Sequence, residues 1–321
     1  MKKLWSFTKK LRPIKGIVSK PNMSPHYFAI YDNKLYFVLV NNGGDCSLIY
    51  EFDPIAQDGN DIFEEGGIID AAPVMDGKIY FFSSTNYRCF DLRSKSLAFE
   101  YDKLLDYDFH RGTIYIDDNA YFSTDINFIC ADKETGTEKW KLDFSGDFYM
   151  LRENIIFHDY NKKAVCVNKA GKILWETNFT AQFSCMYGDN IILCDEQNLY
   201  LIDGHTGEIL ANHKDDFEFG DVMTIDGGIF YGQCKYIIDG KSFKKVWQIK
   251  IKGKYIATER VLHNGKIFFF DDKNILYITD IESGHTEMEK LDTVKKVKEI
   301  FIEDGKLYVF GKNVELDCFE V

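Results

Sequence analysis

The chain has 321 residues, 45% of them hydrophobic and 16% aromatic, which supports a large core and excludes a disordered chain. Its formal net charge of −12 argues against non-specific binding to nucleic acid or an anionic lipid surface and suits a basic partner. No apolar run approaches the roughly 20 residues that would span a bilayer.

The first element is the aromatic strand Lys3-Leu4-Trp5-Ser6-Phe7. Lys9, Lys10, Arg12 and Lys15 leave no room for the apolar core of a secretory signal, so the expected compartment is the cytoplasm. Eight cysteines with no CxxC spacing and no adjacent pair fit that compartment. Cys89, Cys130, Cys166 and Cys318 recur at one place in a repeat, as expected of small buried side chains on strands.

That repeat has a period of about 40 residues and runs along the whole chain. Each unit carries a turn-forming pair and then an aromatic-rich strand. The pairs are Asp32-Asn33, Asp76-Gly77, Asp118-Asn119, Glu153-Asn154, Asp189-Asn190, Asp226-Gly227, Asn264-Gly265 and Asp304-Gly305. Asp-Gly and Asn-Gly signal tight hairpins because both turn residues must tolerate positive φ. A second signal falls in step, led by Asp53, Asp91, Asp132, Asn168, Asp203, Asp239, Asp280 and Glu320. It continues as Thr135-Gly136, Ala170-Gly171, Thr206-Gly207 and Ser283-Gly284. Gln57, Lys95 and Phe243 stand at the glycine position of three other units, so those turns are expected to differ. Trp140, Trp175 and Trp247 each lie four residues after the glycine position.

The eighth unit ends at Val321 without its last strand, and the segment around Trp5 supplies one of the right type. The expectation is an all-β, eight-bladed β-propeller of four-stranded antiparallel blades, one domain over residues 1–321. The N-terminal strand closes the ring, residues 1–10 completing the blade formed by 299–321, which removes open sheet edges. The first unit is the least regular. Placing Gly59 at the invariant glycine of a calcium loop puts Pro54 and Ala56 where ligands belong, so a plain acidic loop without metal is expected there.

Ala131, Asp132, Thr135, Gly136 and Trp140 together resemble the pyrroloquinoline-quinone-like propeller repeat, the tryptophan-docking motif of quinoprotein alcohol dehydrogenases. The resemblance extends over all eight units and is strongest in the third to sixth. It implies that the tryptophan of one blade packs on the turn of its neighbour. Trp5, Asp132, Gly136, Trp140, Trp175, Asp203, Gly207 and Trp247 are then fasteners between blades. The dehydrogenases similar to this repeat add a disulfide of adjacent cysteines over the cofactor, a calcium site and export. The chain has no adjacent cysteines, and no residue carries over as a quinone ligand, so no cofactor is expected.

No phosphate-cradling GxxxxGK, no GxSxG and no HExxH occurs, and the seven histidines lack ligand spacing, so the expectation is not an enzyme. A quinone-dependent or carboxylate-site enzyme is the alternative. The loops between blades and between middle strands gather acids and aromatics: Asp106, Asp108, Phe109, Phe148, Tyr149, Asp159, Tyr160, Asp195, Glu196, Asp215, Asp216, Phe217, Phe219, Asp271 and Asp272. Aromatic anchors beside charge build protein-binding surfaces. The functional expectation is a cytoplasmic, non-catalytic scaffold that binds a protein through this face. A bacterial immunity protein that neutralises a toxin is one form of it. The resemblance adds a second form, an assembly scaffold of the outer-membrane propeller type.

Overall fold

The structure is a computed structural model that describes residues 1–8, 23–41, 46–67, 69–70, 73–83, 86–101, 114–123, 127–144, 146–159, 164–177, 183–194, 198–214, 222–311 and 315–321. The chain folds as an eight-bladed β-propeller of antiparallel blades, and the described residues include no helix. The second blade departs from four plain strands, because its inner strand is broken into Ile69–Asp70 and Val74–Met75, both paired with Lys78–Ser83.

The blades fall into two compact units. One comprises Met1–Leu105, Ile251–Asp280 and His285–Val321, and the other comprises Asp106–Lys250 and Ile281–Gly284. In the first unit, blade eight is built from Glu299–Glu303, Lys306–Phe310, Glu315–Glu320 and the N-terminal strand Lys2–Thr8. The N-terminal strand pairs antiparallel with Glu315–Glu320, bringing Trp5 opposite Cys318 and Phe7 opposite Leu316. In the second unit, blade four is Gly146–Leu151, Asn154–Asp159, Ala164–Asn168 and Ile173–Glu176, each strand paired with the next.

The burial pattern explains the aromatic runs. Middle strands such as Asn190–Cys194 and Lys266–Phe270 are buried on both faces, so they read as continuous apolar runs. Outer strands such as Glu138–Leu142 are half exposed and alternate.

Several turns sit differently from the sequence expectation. Asp32-Asn33, Asp76-Gly77, Asn264-Gly265 and Asp304-Gly305 have positive φ at both positions, as a type I′ hairpin requires. In blades three, four and five the turn lies one residue earlier, at 117–118, 152–153 and 188–189. Asn119, Asn154 and Asn190 open the following strands instead, opposite Asp132, Asn168 and Asp203. The segment Asp58–Glu65 is also not a loop. It is the outer strand of blade one, and Gly59 pairs with Phe52 and lies against the Tyr50 ring.

Candidate functional site

The repeated turn is an Asx turn. Asp132 Oδ1 accepts the backbone amides of Glu134 and Thr135 at 3.1 and 3.0 Å, and Asp203 Oδ1 accepts those of His205 and Thr206 at 2.8 Å each. These amides, Thr135 first, hold the Asp132 carboxyl below its ordinary range. Gly136 and Gly207 take φ of 71° and 76°. In the second unit the indoles lie on the glycine of the next turn. A Cβ on Gly171 would come within 2.9 Å of Trp140, and one on Gly207 within 2.8 Å of Trp175. Trp140 Nε1 donates to Lys169 O at 2.9 Å, and Trp175 Nε1 to Gly204 O at 3.1 Å. Trp247 packs on Gly284 as well, but its Nε1 is buried without a hydrogen-bond partner among the described residues.

The expectation that the turns at Gln57, Lys95 and Phe243 differ needs correction for two of the three. Gln57 and Lys95 adopt φ of 52° and 53°, the left-handed conformation glycine takes elsewhere. Asp53 and Asp91 cap these turns through the amides of Ile55, Ala56, Arg93 and Ser94. Lys95 recovers the strain by reaching Glu51, which is 6% exposed and takes both Lys34 Nζ and Lys95 Nζ at 3.1 Å and Tyr36 Oη at 3.0 Å. Burial alone would raise the Glu51 carboxyl, but these hydrogen bonds outweigh it and hold the carboxyl low. Of these three, the unit at Phe243 does have a different turn, two residues at 240–241, with Phe243 buried on the outer strand.

The cysteines serve the same fastening. Cys130 faces Trp140, Cys166 faces Trp175, Cys89 faces Phe99 and Cys318 faces Trp5 across paired strands. Burial pushes the Cys130 and Cys318 thiols up to about 11 and the Cys166 thiol up to about 12. Thiols in that range are poor nucleophiles at neutral pH.

Five of the fifteen residues expected to bind a partner lie among the described residues, and most of those are committed to the fold. Phe148 is 4% exposed and packs on Phe128 and Phe157, so it is a core residue. Tyr149 donates its hydroxyl to Ser184 O at 2.6 Å, joining the inner strands of blades four and five. Asp271 is fully buried and accepts from Lys273 N, Ile275 N and the Tyr277 hydroxyl at 3.0, 2.9 and 3.1 Å. It is a turn cap and not a surface acid. Asp272 accepts Lys254 N at 2.7 Å, and Asp159 pairs through its backbone with Gly146. Asp106, Asp108, Phe109, Tyr160, Asp195, Glu196, Asp215, Asp216, Phe217 and Phe219 lie outside the described residues.

The sequence reading missed a second set of groups, in the first unit. Three loops around blade seven, which is built from Val261–His263, Lys266–Phe270, Leu276–Asp280 and Thr286–Glu289, carry exposed Lys252, Lys254, Lys273, Lys295 and Lys296, with Tyr255 exposed beside them. Beside them, Glu299 opens the inner strand of blade eight. Burial and then the charge of Glu259 push its carboxyl up to about 7. The signal was present as Lys250-x-Lys252-x-Lys254 and Lys295-Lys296-x-Lys298, two local basic runs in an acidic chain. Among the described residues, no group of three or more His, Cys, Asp or Glu is placed to hold a metal ion.

No protein-family model matches the chain, and no curated protein matches it in sequence. Solved structures do match in fold. The structure of the computationally designed Ika8 protein aligns at a TM-score of 0.65 and 12% identity, over 100% of both chains. The crystal structure of BamB from Moraxella catarrhalis aligns at a TM-score of 0.50 and 12% identity, over 92% of this chain and 82% of that one. At these identities the likeness is one of fold, and it agrees with the blades described above.

Proposed function

We propose that the chain is a non-catalytic scaffold that binds a protein partner through its non-repeating loops. One observation carries this reading: the chemically capable residues of the repeat are spent on structure. Asp132 and Asp203 cap turns, and Cys130 and Cys166 are buried opposite indoles. What is left to vary is the sequence between the repeats, set on blades that do not have to be ordered on binding. We assign the repeat to the pyrroloquinoline-quinone-like class, supported by Trp140 on Gly171 and Trp175 on Gly207. The cytoplasm is the compartment we favour, supported by eight buried cysteines without an adjacent pair or CxxC spacing.

Affinity purification from the native cell, followed by mass spectrometry, tests the reading. A protein retained in stoichiometric amount, and lost with Asp216→Lys and Phe217→Ala together, is the expected result. A bound quinone chromophore or a retained metal, with no partner, would make the protein an enzyme instead.

A further inference from the structure

The exposed lysines of blade seven sit on a built platform. Residues 255–258 run beside 270–272, with Ala257 N donating to Phe270 O at 2.7 Å and Asp272 N to Tyr255 O at 3.2 Å. Lys254 N reaches Asp272 Oδ1, and the Lys273 ammonium reaches Lys252 O. Asn274, at a φ of 59°, ties the third loop down. Its Nδ2 donates to Val294 O and Lys295 O at 3.2 and 2.8 Å, and its Oδ1 accepts Val297 N at 3.2 Å. Five side-chain and backbone bonds therefore join loops 251–258, 271–275 and 293–298 into one surface.

The charge of that surface opposes the charge of the chain. The three loops hold six lysines and two aspartates, a net +4, in a protein of net −12. The two aspartates are already engaged, Asp271 by two amides and a hydroxyl and Asp272 by the Lys254 amide. Among the described residues, none of Lys252, Lys254, Lys273, Lys295 and Lys296 makes an ion pair with a carboxylate.

We propose that this platform docks an acidic segment of a protein partner, with Tyr255 as its aromatic anchor. The proposal deepens the scaffold reading and rests on it for the class of partner. Charge selects the ligand's sign, and reach selects its size. Screening at physiological salt cuts interactions off at about 8 Å, so a short acidic segment meets the local lysines alone. A long polyanion would extend past the platform onto a surface whose remaining charge repels it. The platform also offers ammonium groups with no guanidinium fork, which is the group suited to bidentate phosphate recognition. Because the loops are tied in advance, little ordering cost opposes docking.

The test uses the full chain and a fluorescein-labelled polyglutamate peptide of about ten residues, read by anisotropy at low and at physiological salt. Binding is expected to weaken with salt and to fall at least tenfold in Lys295→Glu/Lys296→Glu and in Lys252→Glu/Lys254→Glu. Lys241→Glu/Lys244→Glu, on blade six (Val222–Ile225, Gly228–Tyr231, Cys234–Asp239 and Ser242–Gln248), is expected to bind as the wild type does. Should a glutamate pair fail to fold, the corresponding Lys→Gln pair carries the same expectation at smaller amplitude. Absence of binding, or equal loss in the blade-six control, overturns the platform. Tighter binding of a single-stranded oligonucleotide through the same lysines also overturns it. A native partner retained undiminished by Lys295→Glu/Lys296→Glu would spare the scaffold reading and sink the platform. Peptide binding through these lysines with no partner in the cell would do the reverse.

Discussion

Blades three to six and blades one and two solve the same problem with different chemistry. In the second unit, Trp140 and Trp175 lie on a glycine of the next turn, and each indole N–H finds a backbone carbonyl. That joint buries apolar area and needs a residue without a Cβ opposite it. In the first unit, lysine replaces the glycine. Its turn keeps the left-handed conformation, and the side chain that would have blocked an indole pairs with buried Glu51 instead. Tyr31 adds to this joint by packing on Gly77 and accepting Arg93 Nε at 2.9 Å. The contrast shows that the backbone turn is the constant of the repeat, while the contact made across it is exchangeable.

The largest expected effect falls on the N-terminal strand. Trp5 and Phe7 both pack on Phe52, with ring centroids 5.3 and 4.8 Å apart. Removing residues 1–8 should lower the melting temperature by roughly 10 °C or more or abolish a cooperative transition. An unchanged thermal scan would show that the strand closes nothing. Next comes Trp175→Ala, expected to cost about 3–5 kcal/mol by denaturant titration as a large aromatic lost from a packed joint. Glu51→Gln should cost less, about 1–3 kcal/mol, because it leaves Lys34 and Lys95 against a neutral group. If the two variants cost the same, the apolar and ionic joints are equivalent and the comparison loses its edge.

A pH experiment probes the mouth of blade eight. The Glu299 carboxyl stands at about 7 in the fold, above the 4.5 of a free glutamate. The folded state therefore holds that proton more tightly. The resulting stability is present below pH 4.5 and is lost as pH rises through 7. Glu299→Gln should gain on the order of 2 kcal/mol relative to wild type at pH 8 and show no such gain at pH 4.5. An equal difference at both pH values would refute the burial of that charge. The smallest effect is expected from Lys95→Gly, where relief of a positive φ offsets the lost ion pair and leaves stability within about 1 kcal/mol of wild type.

The repeat was legible because Trp140, Trp175 and Trp247 keep one spacing from a turn glycine, and spacing is what a sequence displays. Residues that break a local preference stayed hidden. Nothing in the letters says that Gln57 and Lys95 adopt positive φ, because tertiary pairing holds them there. Asp-Asn and Glu-Asn looked like turn centres at Asn119, Asn154 and Asn190, yet the turns close one residue earlier and each Asn faces the next strand. Phe148 was misplaced because an aromatic beside an acid looks the same at a loop tip as at the end of a buried strand. The lysine platform was missed because total charge was weighed before local charge. Its six lysines are spread over three loops that only the fold brings together.

The central claim is that repeated residues hold the blades and non-repeating loops hold the partner. Its most direct test is the amount of native partner retained per mole of folded protein, measured on Trp175→Ala and on the double variant Asp216→Lys/Phe217→Ala. The account predicts that Trp175→Ala melts earlier but keeps its partner, while Asp216→Lys/Phe217→Ala loses it. Loss of the partner with Trp175→Ala alone, and full retention by Asp216→Lys/Phe217→Ala, would contradict it.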